Sequence, residues 1–147
     1  MHKMKSDIEA LSSSILAYAM ERLRMDPPTI DHALPQTTLE ELAGQTITEE
    51  GLGGQEALKL FVDTLGPACI SQDHPRYLSF VPSAPSEVST LFDLVVGASN
   101  ICASSWLEGA GAIYAENQAL RWIADIAGFP QGAGGVFVSG GTAGNLS

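Results

Sequence analysis

The run Val136-Phe137-Val138 feeds directly into Ser139-Gly140-Gly141-Thr142, and no other stretch constrains the chain as much. Three apolar, β-favouring residues without polar alternation predict a strand buried on both faces, as in a parallel sheet. The glycines predict a tight turn, and residues 143–147 would open a helix. A strand, a glycine turn and a helix start together make an anion site. The first helical amides have no intrahelical partner, and the helix dipole favours negative charge. Glycine lets a phosphate approach the backbone closely, and the Thr142 hydroxyl adds a hydrogen-bonding group. A nucleotide P-loop needs a lysine before its Ser or Thr, and none stands here. A dinucleotide fingerprint needs a glycine where Ser139 stands. On spacing alone, a phosphate site and a plain strand-to-helix turn are level.

One strand cannot make a sheet, because its backbone groups need neighbours. The reading is therefore a fragment of a longer protein. The upstream sequence is mostly helical in pattern. Ile8, Leu11, Ile15, Tyr18 and Leu23 mark one face of a helix over residues 6–25, ended by Asp26-Pro27-Pro28. Thr38-Leu39-Glu40-Glu41 has capping-box form, with Thr38 as N-cap of a short helix before Gly44. Leu58, Phe61, Val62 and Leu65 form the apolar face of a helix over 55–65, stopped by Gly66-Pro67. Residues 74–83 lack helical period and read as an extended, ordered loop.

Val88, Leu91, Phe92, Leu94, Val95 and Val96 make 86–99 apolar nearly all round, which predicts a helix buried in a core or between subunits. A last long helix is expected over 109–127, its face marked by Ile113, Asn117, Leu120, Ile123 or Ala124, and Ala127. Gly128 suits a left-handed cap and Pro130 stops further winding.

Composition narrows the function classes. The net charge is −10, with only 7 Lys and Arg, which argues against a nucleic-acid surface. The 45% hydrophobic and 16% charged content fits a globular chain with a sizeable core. No apolar stretch is long enough for a bilayer, so no membrane partner is expected. Cys69 and Cys102 have no metal-type spacing, so no metal site is expected. Both read as buried structural thiols of a reduced, cytoplasmic protein.

Beyond the glycine turn, four features come in fixed order: His74-Pro75-Arg76-Tyr77 with Val81-Pro82-Ser83, then Ser105-Trp106, then ENQALRWIADIAGFP over 116–130, then 135–146. Residues 74–147 resemble the pyridoxal-phosphate-dependent group II amino-acid decarboxylases, and the N-terminal part fits more loosely. The resemblance implies an α/β fold of the type I pyridoxal-phosphate-dependent transferase kind, here its N-terminal portion. It would be mostly helical, with the first strand of the large-domain sheet. It implies residues 1–85 as a dimerisation segment and 86–147 as the start of the cofactor domain, in a homodimer acting on an amino acid.

It also implies that Gly141, by its amide, and Thr142, by amide and hydroxyl, bind pyridoxal 5'-phosphate. Asn145 matches a polar position common in the family. Phe80, Pro82 and Ser83 match a segment lining the substrate pocket, for which an ordered core loop is an equal reading. Cys102 and Ser104 match a segment that reaches the partner's active site. A large ring stands at the Ser104 position in members that take aromatic substrates, which weakens an aromatic reading here. His74 reads as a hydrogen-bonded structural residue, and Trp106 and Trp122 as core aromatics. The Schiff-base lysine, the acid on the pyridine nitrogen and the ring-stacking histidine lie downstream in the family. Lys3, Lys5 and Lys59, and His2, His32 and His74, are all upstream of the turn. No catalytic residue is thus expected within the chain itself. Rival readings are another enzyme on the same fold, a lyase or an aminotransferase, and a non-catalytic helical interaction module.

Overall fold

A computed structural model describes residues 6–30 and 32–146. His2, Lys3, Lys5 and Ser147 lie outside the described residues. The chain divides into two compact units, Met1–Leu91 and Phe92–Ser147.

The first unit is a small helical cluster. α1 is Ser6–Leu23, α2 is Gln36–Ala43 and α3 is Gly54–Leu60, which continues into a π-helical turn, Phe61–Leu65. In α1 the serine triplet does not interrupt the helix. Ser12, Ser13 and Ser14 donate their hydroxyls to the carbonyls of Ile8, Glu9 and Ala10 at 2.7, 3.0 and 3.1 Å. Leu11, Tyr18 and Leu23 are half-buried, whereas Ile8 and Ile15 stay exposed. Tyr18 meets Phe61 edge to face, with ring centroids 5.9 Å apart. The π turn closes with the Gly66 amide donating to Phe61 O at 2.7 Å, one residue further than an α-helical bond. α2 begins at Gln36 and its N-cap is Pro35, so the Thr38 capping box is not formed. Proline supplies the entry φ without needing a side-chain cap, and Gln36 instead donates to Glu40 at 2.7 Å.

α4, Glu87–Ser99, spans the division between the units. Ser86 caps it, accepting the Ser89 amide at 3.2 Å. In the second unit α5 is Trp106–Ile126, with a non-helical residue at Gly109. It ends in a Schellman motif: the Gly128 amide donates to Asp125 O at 3.1 Å and Phe129 to Ala124 O at 2.9 Å. Gly128 has φ +75°, as its expected cap role requires. Gly128→Ala should cost about 1 kcal/mol, because a Cβ is strained there. A thermal midpoint equal to wild type would refute this.

Several expectations are corrected. Among the described residues no strand forms, and Val136, Phe137 and Val138 run as irregular backbone. They have no neighbouring strand to complete a ladder. The core is minimal: only Pro28, Gly109 and Ala124 are buried among the described residues. Every residue of α4 on its apolar surface is open, Val88 at 66% and Phe92 and Val96 at 62% each. Trp106 and Trp122 are exposed rather than core, as are Cys69 and Cys102. The common cause is layering, since within each unit the helices present apolar faces that no second layer of the described residues covers.

Candidate cofactor site

Residues 136–140 lead into a single helical turn, α6, Gly141–Gly144. Its hydrogen bonds begin with Gly144 N to Gly140 O at 3.1 Å and Asn145 N to Gly141 O at 2.9 Å. The amides of Gly141 and Thr142 therefore precede the first intrahelical donor. Both residues are exposed. A Cβ at Gly140 or Gly141 would meet nothing within 4 Å, so a tetrahedral anion has room against the backbone. At Gly144 a Cβ would come 3.4 Å from Val138 Cγ2, which places the end of the apolar run on the turn. Two free amides, a hydroxyl and open space suit the phosphate of a cofactor.

The remaining expected site residues fall on two connectors. Phe80, Pro82 and Ser83 lie in the first unit, Phe80 with a left-handed φ of 59° and 92% exposed. A bulky residue in that conformation is uncommon. Just upstream, His74 is held by backbone, its Nδ1 accepting the Arg76 amide at 3.0 Å.

Cys102 and Ser104 lie in the second unit, on the connector before α5, with Sγ and Oγ 3.2 Å apart. Ser104 and Ser105 both donate to Glu108 Oε2, at 2.9 and 2.8 Å. Ser105, then Ser104, hold the Glu108 carboxyl below its ordinary value. The hydrogen bond with Ser104 draws the Cys102 thiol downward. The Ser104 proton serves one acceptor at a time, and Glu108 is the stronger claimant at neutral pH.

Lys59 is an ion-pair partner of Asp63 at 2.8 Å, which raises its pKa by hydrogen bond and charge. Among the described residues no group of three or more His, Cys, Asp or Glu could hold a metal. No helix there is long and apolar enough to cross a membrane. A cleft of about 390 Å³ opens in the first unit between Tyr18, Arg22, Phe61 and Ile70, and none of the expected site residues lines it.

Two arginines went unremarked in the sequence. Arg22 makes a bidentate pair with Asp73, at 2.8 and 2.6 Å, for which the sequence carries no local signal. Arg121 pairs with Asp125 at 2.6 Å, a spacing of four that a helix reading could have found.

The chain is 32% identical over 130 residues to an aromatic-L-amino-acid decarboxylase of Bacillus atrophaeus, covering 87% of this chain and 26% of that protein. It is 27% identical over 99 residues to an L-2,4-diaminobutyrate decarboxylase of Acinetobacter baumannii, covering 67% of this chain and 19% of that protein. The chain thus spans about a quarter of the first relative's length and about a fifth of the second's. No family model matches the chain. No solved structure matches it either. The two likenesses support a decarboxylase-related origin.

Proposed function

We propose that this chain is the N-terminal part of a homodimeric, pyridoxal-phosphate-dependent amino-acid decarboxylase, and that it contributes the phosphate-binding turn. The observation that carries the reading is the open turn at Gly141 and Thr142, with two amides ahead of the first helical bond. Likeness to two amino-acid decarboxylases supports the reaction class. When bound, the cofactor supplies the electron sink on which an amino acid can lose its carboxylate.

The residues of this chain bind and orient. The Gly141 and Thr142 amides would neutralise phosphate charge, and the Thr142 hydroxyl would fix its rotation. Phe80, Pro82, Ser83, Cys102 and Ser104 would shape the space around the amino-acid substrate. Residues 136–138 would become a true strand once neighbours pair with them. The bare face of α4 would be covered in the dimer, since an apolar helix surface of this extent marks an interface.

The test uses the protein expressed from its whole reading frame. It should bind pyridoxal 5'-phosphate saturably and release carbon dioxide from an amino acid. Thr142→Val should weaken cofactor affinity about tenfold through the lost charge-assisted hydrogen bond. Binding without carbon dioxide release would move the assignment to another enzyme of the same cofactor class. Absence of binding would favour a non-catalytic interaction module. The 147-residue chain alone should release no carbon dioxide, because the resemblance places the Schiff-base lysine downstream of the turn, whereas Lys3, Lys5 and Lys59 all lie upstream of it.

A further inference from the structure

Arg121 lies on α5, and its guanidinium donors point in two directions. Nε and Nη2 donate to Asp125 Oδ1 at 3.1 and 2.6 Å. Nη1 donates to the carbonyl oxygens of Gln131 at 2.9 Å and Pro130 at 3.2 Å, with Ala133 O at 3.5 Å. A four-residue-spaced ion pair on a helix surface is by itself a weak stabiliser. Here its consequence is geometric. Asp125 engages one edge of the planar fork, and the remaining nitrogen is directed at the backbone of the connector after the helix.

That connector needs an external hold. It contains Gly132 and Gly134, where a Cβ would meet nothing within 4 Å, so open space surrounds both. Glycine also leaves the backbone its widest range of conformations. The contacts that restrain this stretch come from α5. Arg121 takes the carbonyls, and Gly135 sits against Leu120, whose Cδ2 would be 3.2 Å from a Cβ there. Within the connector, the Ala133 amide donates to Pro130 O at 2.9 Å. Downstream, Val138 packs at Gly144, so the backbone of 130–138 sets the place of the turn.

We infer that Arg121 is a positioning residue for the phosphate-binding turn: it ties the carbonyls of Pro130, Gln131 and Ala133 to α5 and so fixes where the Gly141 and Thr142 amides are presented. The inference rests on the phosphate reading of that turn. Its physical basis is pre-organisation. An arm held before the ligand arrives loses less freedom when the ligand binds, and the gain falls on the part of the ligand that the arm holds. Loss of Arg121 should therefore weaken grip on the phosphate rather than on the pyridine ring.

The protein expressed from its whole reading frame is compared with Arg121→Ala, Arg121→Lys and Asp125→Asn. Two quantities are read: amide hydrogen exchange without cofactor, and affinity for pyridoxal 5'-phosphate and for pyridoxal, which lacks the phosphate. Arg121→Ala should speed exchange in 130–138 about tenfold or more while exchange in α1 stays unchanged. It should weaken pyridoxal 5'-phosphate about tenfold and pyridoxal less than about twofold. Arg121→Lys keeps the charge but has no fork, so it should recover only part of the loss. Asp125→Asn keeps Arg121 and the local volume, and should give a smaller shift in the same direction.

Unchanged exchange in 130–138, or equal weakening of both ligands, overturns the role of Arg121 while leaving the cofactor reading standing. Wild-type protein that binds no pyridoxal 5'-phosphate overturns that reading and the role of Arg121 with it.

Discussion

Asp73→Asn is expected to destabilise the first unit by about 2–3 kcal/mol at neutral pH, and the deficit should vanish in acid. Arg22 and Asp73 form a two-pronged pair whose side chains are 29% and 12% exposed. Removing the carboxylate charge weakens two short, charge-assisted hydrogen bonds to a half-buried guanidinium at once, so the cost is that of a charged pair rather than of one neutral hydrogen bond. The guanidinium, chiefly through its hydrogen bonds, holds the Asp73 carboxyl below its ordinary value, against an opposing effect of burial. A carboxyl depressed in the folded state adds stability above its unfolded value, about 3.9. That contribution is lost as pH falls through the lower folded value.

Wild type should therefore weaken below about pH 4, whereas Asp73→Asn, neutral throughout, should not share that loss. Urea midpoints of both proteins, followed by circular dichroism across pH, should converge in acid. A constant gap between them at every pH would mean that the pair does not act through its charge.

The second large effect concerns Gly109, buried inside α5 with φ −132° and ψ 34°. A Cβ there would stand 2.7 Å from both Ala103 Cα and Cys102 O. Both are backbone atoms and cannot rotate away, so Gly109→Ala should cost about 1–3 kcal/mol as the connector is pushed off the helix. The same displacement would move Cys102 and Ser104. Gly111 is the matched control. It lies in the same helix, and a Cβ there would meet nothing within 4 Å. Gly111→Ala should be stabilising by about 0.5–1 kcal/mol, because alanine is the better helix former. Thermal melts in which the two variants shift alike would show that close approach at Gly109 carries no energy.

The helices were legible in the sequence because their signals are local. The Gly128 cap and the Gly66-Pro67 stop follow from backbone sterics within one turn, and the structure places both where expected. The N-cap of α2 was misplaced because Pro35 pre-sets the entry angle as well as a threonine would. The kink at Gly109 left no trace in periodicity, since glycine is silent in an apolar pattern. Burial was overread for Cys69, Cys102, Trp106 and Trp122, because residue type reports a preference for the interior and not whether this chain has an interior to offer.

The candidate site divides the same way. The sequence by itself determined the glycine turn and its hydroxyl, because glycine spacing acts through the torsions of adjacent residues. It also carries the resemblance on which the proposed cofactor role of that turn rests. Only the tertiary structure decided that Arg22 meets Asp73, that the fork of Arg121 reaches three carbonyls beyond its helix, and that 136–138 stay irregular. Those outcomes depend on what lies across space from a residue. A strand exists only when a neighbour accepts its backbone bonds, and an ion pair only when two distant side chains are carried to one place.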